Sequence, residues 1–273
     1  MLFEYEGDVV AWYEREERAL SPSFLSTIPW HDISRFEINR RFFPVLVYMR
    51  DVEKFTSIYY NELLRTPTGK DPVIRRFMDR WSTEESLHGD LLNRFLEEAG
   101  CPTHPRWEEE ARSKIPTGYH LSSRLLTAIT NTLGRHFSAV HMTWGAINEY
   151  STLVGYERLW KLAQHPVLEM ILRAIAREEA KHSFVYWSIA RLKLLHSRFR
   201  QGLTRFIIDH FWSPVGEGTK PTADANLVIA TLFKGPEGIR LMDQRVNQRI
   251  EQLPGLSGLK RITERVASAI SSK

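Results

Sequence analysis

Cysteine and long apolar segments are both scarce in this sequence. Cys101 is the only cysteine among 273 residues, so an internal disulfide is impossible and a reducing compartment is expected. The longest apolar runs, FFPVLVYM and LVIATLF, are much shorter than the roughly 20 residues of a membrane-spanning helix. The first residues, MLFEYEGDVV, do not have the basic and then apolar pattern of a secretion signal. A cytoplasmic protein without a membrane span is therefore expected.

Sequence signatures of nucleic-acid binding are also missing. The chain has no zinc-finger spacing, no homeodomain-like helix and no aromatic RNA-binding signature. Its net charge is +4 and its pI is about 9.2, which favours an acidic partner. The basic clusters RRFMDR (75–80) and SRFRQGLTR (197–205) suit either solvated helix faces or a docking surface. We expect an acidic protein partner and no nucleic acid.

Strand-like alternation is rare, and the dominant pattern is the periodicity of amphipathic helices. Long helices are predicted at 33–64, 73–99, 121–163 and 167–197, with Pro44 and Gly134 as candidate break points. A shorter helix is predicted at 5–20, and 101–120 is predicted to be a long connection. Beyond residue 197, proline and glycine divide the chain into short helices. The pattern predicts one all-α domain over 1–273, with a core at about 33–197 and a less regular part at 198–273.

Two of the long predicted helices carry a glutamate and a histidine one turn apart. Glu85 and His88 lie in RWSTEESLHGDLLNRFLEEAG, and Glu179 and His182 lie in AREEAKHSFVYW. In each pair the two side chains share a helix face, close to the apolar stripe that should face the core. One such pair arises readily by chance. Whether the two pairs are metal ligands therefore has to be judged from where they lie along their helices.

Each pair is matched by a single glutamate at the same height on the preceding helix. Glu53 and Glu85 lie equally far along the chain from the turn near Gly69, about 24 Å at 1.5 Å per residue. Around the turn at His165, Glu149 and Glu179 match within one helical turn. Two helical hairpins therefore bring four carboxylates and two imidazoles to one level.

This set of side chains is typical of a ferritin-like four-helix bundle that holds two iron ions. Four carboxylates offset the charge of two ferrous ions, and imidazoles bind them while leaving positions open for dioxygen. Buried without cations, the carboxylates would be very costly. The alternative is a set of surface salt bridges, such as Glu179 beside Lys181, but it leaves the matching heights unexplained.

The block WSTEESLHGDLLNRFLEEAG resembles a motif of the soluble acyl-acyl-carrier-protein desaturases of plant plastids and their bacterial relatives. That motif reads Trp-x-x-Glu-Glu-x-x-His-Gly-Asp-Leu-Leu-Asn, and its tail distinguishes it from ferritins and ribonucleotide reductases. The resemblance covers roughly 30–195 and is faint in LPGLSGLKRITERVASA near the C-terminus.

The resemblance implies roles for individual residues. Thr152 matches a threonine beside the oxygen site, although it could be a packed core residue. Trp30 resembles a surface tryptophan through which electrons enter, although it could be a hydrophobic anchor. Glu178 stands where the plant enzymes have aspartate on the electron path. The iron ligands implied by position are Glu53, Glu85, His88, Glu149, Glu179 and His182, with Glu53 in the least similar surroundings.

The expected function is an oxygen-dependent acyl-carrier-protein desaturase with two iron ions, a ferredoxin-like electron donor and a homodimeric assembly. The carrier is expected to meet basic residues, with Arg75, Arg76, Lys193 and Arg200 as candidates. A di-iron monooxygenase or oxidase on another substrate remains open, because the same centre hydroxylates if rebound is faster than a second hydrogen abstraction. A ferritin-like iron-binding protein and a non-catalytic helical interaction protein also remain open.

Overall fold

The chain folds into helices joined by turns and loops. The structure is a computed structural model that describes residues 2–116, 119 and 127–271, and these residues hold no β-strand. The all-α fold class predicted from periodicity is confirmed. The numbered helices are α1 (Glu6–Arg15), α2 (Pro22–Ser26), α3 (Phe43–Leu63), α4 (Pro72–Glu98), α5 (Trp107–Ser113), α6 (Ser138–Ala163), α7 (Pro166–Leu194), α8 (Arg198–Phe211), α9 (Thr222–Phe233), α10 (Pro236–Met242), α11 (Gln248–Glu251) and α12 (Arg261–Ser271).

Several predicted helix boundaries differ from the structure. The helix predicted from residue 33 begins at Phe43, after two short 3₁₀ turns. Pro44 does not break it but occupies its first turn, where its missing N–H has no helical partner to lose. The predicted connection 101–120 contains the short helix α5, and α1 is shorter than the helix predicted at 5–20.

The predicted break near Gly134 is confirmed. Gly134 has a φ of 56° and begins a 3₁₀ turn, and α6 starts shortly after it at Ser138. Of the earlier part of the helix predicted from residue 121, residues 127–133 are helical and 121–126 lie outside the described residues.

The helices that carry the Glu-x-x-His pairs start at well-defined caps. Asp71 accepts hydrogen bonds from the backbone N–H groups of Val73 and Ile74 at 3.0 and 3.3 Å, and Pro72 follows it as the first helical residue. His165 likewise caps α7 by accepting from Leu168 N–H at 3.2 Å. These caps satisfy N–H groups that the helix itself leaves unpaired, and they set where each helix begins.

The core is a bundle of four helices made of two hairpins, α3–α4 and α6–α7. Helices α4 and α7 also contact each other, and a long connection carries the chain from α4 to α6. Two hairpins joined by a long crossover are the arrangement of ferritin-like bundles. Among the described helices, none is long and apolar enough to cross a membrane.

The remaining helices cover the outside of the bundle. Helix α1 packs against α4 and α7, α8 packs against α6 and α7, and α9 packs against α3, α6 and α12. Gly89 permits the close approach of α3 to α4, because a Cβ atom there would lie 2.6 Å from a side-chain carbon of Lys54. The predicted glutamate and histidine ligands therefore lie inside the bundle, covered by the outer helices.

Candidate metal centre

The structure brings all six predicted iron-ligand residues together in the middle of the bundle. They form two groups, each with ligand atoms within 4.8 Å of one another. Both groups include Glu85 and Glu179, and all six residues are between 0 and 6 % exposed. The first group is Glu53, Glu85, His88 and Glu179, and the second is Glu85, Glu149, Glu179 and His182. Shared carboxylates between two groups are what a dinuclear metal centre requires.

The two imidazoles are held by carboxylates that reach across between α4 and α7. The Nε2 atom of His88 lies 2.9 Å from Glu178 Oε2, and Nε2 of His182 lies 2.8 Å from Glu84 Oε2. Glu178, the partner of His88, directly precedes Glu179 in the sequence, and Glu84, the partner of His182, directly precedes Glu85. Such bonds from the far ring nitrogen orient metal-binding histidines and select the tautomer with a free Nδ1.

The repeated pattern Glu-Glu-x-x-His, in TEESLH and REEAKH, therefore builds a nearly symmetric arrangement. Glu178 was predicted as an electron-transfer residue; its contact with His88 is observed, and its role in electron transfer stays a prediction. Glu84 was missed, although the repeated Glu-Glu dipeptide was visible in the sequence. A comparison of the two motifs with each other would have found it.

Glu84 is held as an anion by Tyr13, Arg80 and His182. Tyr13 of α1 donates to its Oε2 at 2.5 Å, and the Nε of Arg80 donates to its Oε1 at 2.7 Å. Burial opposes the charge, but the bonds to His182, Tyr13 and Arg80 outweigh burial and lower the pKa of Glu84 to about 2. Helix α1 thus contributes to the site by fixing the acceptor of a metal-facing histidine.

Five inward-facing atoms of the site have no hydrogen bond of good geometry, and their nearest polar neighbours are one another: Glu85 Oε1 lies 2.9 Å from His182 Nδ1, and Glu179 Oε1 lies 3.1 Å from His88 Nδ1. They are Glu85 Oε1, both carboxylate oxygens of Glu179, and the Nδ1 atoms of His88 and His182. A buried polar atom without a partner normally costs about 1–3 kcal/mol. Five such atoms converge on the same small volume, and all are donors of electron pairs to metals when deprotonated. The residues present therefore fit a pair of divalent cations.

Electrostatics inside the site leads to the same conclusion. Burial, together with repulsion from Glu179, raises the pKa of Glu85 well above its usual range and that of Glu149 to about 8. Burial also opposes the charge on His88 and His182, but the acidic groups around them outweigh it and raise both pKa values. Without cations the site therefore holds protons, which metal ions would have to displace.

Comparison with protein-family models identifies one family. The model described as fatty acid desaturase matches residues 54–198, which is more than half of the chain. The chain belongs to the fatty acid desaturase family. No curated protein and no solved structure matches it. The match begins one residue after Glu53, so the membership of Glu53 in the site depends on the structure and not on the family comparison.

Beside the centre of this desaturase-family chain lies a cavity with mostly apolar walls. It contains about 690 Å³ of space, part of which is open to solvent. Glu53, a member of the first ligand group, lines this cavity, and so does Thr152. Its other walls come from α3, α6, the loop after α8, and the helices α9, α10 and α12: Tyr48, Met49, Val52, Ser151, Gly155, Trp212, Pro214, Val215, Ala225, Val228, Ile229, Leu232, Phe233, Met242 and Val266. The less regular C-terminal third therefore has a function in the site, because it closes the cavity.

The remaining predicted site residues lie outside the two ligand groups. Thr152 is half-buried on the cavity wall, as expected of a residue beside the reacting substrate. Trp30 is also half-buried, and the guanidinium of Arg94 stacks on its ring at 4.0 Å. His141 also lies outside the ligand groups, and its Nδ1 lies 2.7 Å from Thr68 Oγ1. His88 and His182 therefore face the candidate metal centre, whereas His141 contacts a threonine hydroxyl elsewhere.

Proposed function

We propose that this chain is an oxygen-dependent desaturase that holds two iron ions and acts on a fatty acyl chain carried by acyl carrier protein. The single observation that supports it most is that Glu53, a member of one of the two overlapping carboxylate–histidine groups, also lines an apolar cavity. Such a cavity, with mostly apolar walls, suits an alkyl chain. A storage protein needs no apolar cavity beside its metals.

In this proposal the six metal-facing residues divide between two ions. Glu53 and His88 would hold one, Glu149 and His182 the other, and Glu85 and Glu179 would lie between them. When bound, the iron pair supplies the activation of dioxygen that removes hydrogen from an unactivated methylene. The balanced reaction converts a CH₂–CH₂ unit, O₂, two electrons and two protons into a CH=CH unit and two waters.

The protein's own contribution begins with the cavity. Its apolar walls bind the alkyl chain and exclude water, so that one part of the chain stays close to the centre. The Thr152 hydroxyl lies on the same wall and is the polar group we propose to deliver protons at the boundary between cavity and centre. Glu178 keeps the Nε2 proton of His88 in place during electron entry.

The two electrons are proposed to come from a ferredoxin-like protein, with Trp30 as the entry point. The half-buried ring of Trp30 and the cation of Arg94 stacked on it present a basic, aromatic contact. A homodimeric assembly also belongs to the proposal, since it is implied by the resemblance.

The carrier protein is proposed to dock along α8. The four basic residues that the sequence suggests for this role already have partners inside the chain: acidic side chains for three of them and a backbone carbonyl for Arg200. Helix α8 instead exposes Arg198 together with Phe199, Phe206 and Phe211, whose exposed fractions are 57 %, 54 % and 61 %. The chain then continues from α8 into the cavity wall at Trp212. A basic and aromatic surface of this kind suits an acidic partner that carries an acyl chain.

The reaction is tested by product analysis. Purified protein loaded with iron, reductant, a ferredoxin system and O₂ should convert saturated long-chain acyl carrier protein into a mono-unsaturated product. A hydroxylated product would establish the monooxygenase function instead, and iron uptake without substrate oxidation across several chain lengths would establish a storage role. Glu85→Ala and His182→Ala should both lose iron by elemental analysis; full iron retention in both would refute the ligand assignment.

The docking surface is tested separately. Phe206→Ser should raise the KM for acyl carrier protein and leave the turnover number nearly unchanged. Phe36→Ser is the matched control, because Phe36 is 43 % exposed and lies in the loop between the first two 3₁₀ turns, away from α8. Equal KM values for wild type and Phe206→Ser would contradict docking on α8 without contradicting the reaction.

A further inference from the structure

The apolar cavity is narrowed at Gly155, one helical turn beyond Thr152 on α6. A Cβ atom placed on Gly155 would lie 3.2 Å from the Met49 Cε atom and 4.0 Å from Leu232 Cδ1. Met49, Gly155 and Leu232 belong to α3, α6 and α9, and all three line the cavity. The Met49 methyl group therefore fills the space in front of Gly155 that a side chain at this position would otherwise take.

This narrow point lies close to the metal-facing residues. Met49 precedes Glu53 by four residues on α3, and Gly155 follows Thr152 by three residues on α6, so each pair lies on one face of its helix. At 1.5 Å per residue the members of a pair are about 5–6 Å apart along the helix axis. Because Glu53 belongs to a ligand group and also lines the cavity, an alkyl chain beside Glu53 has to fit against Met49.

The two residue types suit a wall that limits the width of the cavity. Glycine is unfavourable in the interior of a helix, and Gly155 lies well inside α6. Its missing Cβ atom is what allows the Met49 methyl group to lie against the helix. Methionine is unbranched, and its flexible thioether fills irregular gaps in a core. Met49 is 9 % exposed, so its side chain occupies this part of the cavity and water does not.

We infer that Met49, seated against Gly155, is a specificity-determining residue that admits an unbranched alkyl chain to the centre and excludes a chain with a methyl branch at this depth. An added branch would need the volume that the Met49 methyl group already fills, and packed interiors leave few voids of that size. An unbranched chain needs no such volume, because it lies along the remaining width of the cavity. This role rests on the proposed function, since it assumes an alkyl substrate, and it adds which alkyl chains are accepted.

Isothermal titration calorimetry of the metal-free full chain with dodecanoic acid tests this role without turnover. The acid stands in for the acyl chain, and a series of isomers with one methyl branch at successive carbons probes the depth of the cavity. Wild type should bind dodecanoic acid and should bind the isomers branched near the narrow point at least about tenfold more weakly, which corresponds to about 1.4 kcal/mol. Met49→Ala should bind those isomers as well as it binds dodecanoic acid, and Met49→Val, a smaller truncation, should show a smaller change of the same kind.

Met78→Ala is the matched control for these variants. Met78 is a buried methionine of α4 that does not line the cavity. Its truncation removes the same side-chain atoms from the core, so it should lower stability but leave the preference for unbranched chains unchanged. A loss of that preference in Met78→Ala would mean that loosened packing and not the cavity wall sets it, which would overturn the inference.

A double-mutant cycle between Met49 and Gly155 tests the contact itself. Gly155→Ala should weaken the binding of dodecanoic acid by about tenfold, because the displaced Met49 side chain narrows the cavity. The same change in the Met49→Ala background should have no effect, since only Leu232, at an ordinary contact distance, then remains near the new methyl group. Equal effects in both backgrounds would overturn the inference.

Two further results separate this inference from the proposed function. Met49→Ala that binds dodecanoic acid but still rejects every branched isomer would overturn the role of Met49 and leave the proposed function intact. Wild type that binds no alkyl probe at all would overturn the inference together with the proposed use of the cavity for an alkyl chain.

Discussion

Binding of divalent cations to the metal-free site should displace protons from the side chains that bind them. In the metal-free site the surrounding acidic groups raise the pKa values of His88 and His182 and so favour the protonated imidazoles. Burial raises the pKa of Glu85 well above its usual range and that of Glu149 to about 8, which favours the protonated carboxyl groups. All four groups must lose their protons to bind metal.

Binding of two divalent ions at pH 7 should therefore release protons, with four per chain as the upper limit set by these four groups. By linkage, the product of the two association constants should rise with pH near neutrality, by up to about four orders of magnitude per pH unit if all four protons leave.

The measurement is isothermal titration calorimetry with Co²⁺ in two buffers of different ionisation enthalpy, from which the proton release is obtained. Glu149→Gln is the informative variant, because glutamine has nearly the shape of glutamate but does not titrate. The number of protons released on metal binding should therefore fall by about one. Release of fewer than about two protons by wild type, or an affinity that does not change between pH 6 and 7, would refute the protonated metal-free site.

The same pKa directions determine how metal affects stability. Groups whose folded-state pKa is raised stabilise the metal-free fold below their unfolded pKa values, and this stabilisation is lost as pH rises through the folded values. For Glu85 and Glu149 the loss begins above about 4.5, and for the two histidines above about 6.5. The increase in Tm on metal loading should therefore be larger at pH 8 than at pH 6, as thermal unfolding would show.

Three further outcomes are expected. Thr152→Ala should retain its metal by elemental analysis but consume more O₂ per product, because the cavity loses the hydroxyl that we propose delivers protons; unchanged coupling would contradict that role. Gly89→Ala should lower the free energy of unfolding by about 1–3 kcal/mol, since its Cβ would meet Lys54, and urea unfolding that matches wild type would contradict the close approach. Burial lowers the pKa of His141 to about 3 beside Thr68, so its contribution to stability should be lost as pH falls below about 6.5; His141→Gln should show a flatter dependence on pH in the same assay.

The repeated local pattern made the helices and the metal-facing residues predictable. Glu85 with His88 and Glu179 with His182 lie one turn apart, and regular helix geometry places such side chains on one face whatever surrounds them. Glu53 and Glu149 could be found because helices in a short hairpin run antiparallel, so equal distances from the turn mean equal heights. These inferences need only local geometry, which a sequence encodes directly.

Helix starts were harder to predict than helices themselves. The apolar periodicity before Phe43 suggested that α3 extended to residue 33, but the chain there forms 3₁₀ turns. The same apolar residues can pack on the core from either conformation, because burial depends on where side chains lie and not on the backbone that carries them. Pro44 is compatible with both a break and a start, and only the surrounding contacts select the start.

What the sequence determined by itself is therefore the all-α class, the two hairpins and the six residues that converge between them. The tertiary structure alone decided which groups meet those residues from far along the chain. The contacts of Tyr13 with Glu84, Trp81 with Glu149 and Tyr156 with Glu53 join separate helices. The cavity wall likewise combines α3 and α6 with helices beyond residue 211. Such contacts depend on the angles and distances at which helices pack, and no spacing along a single chain records them.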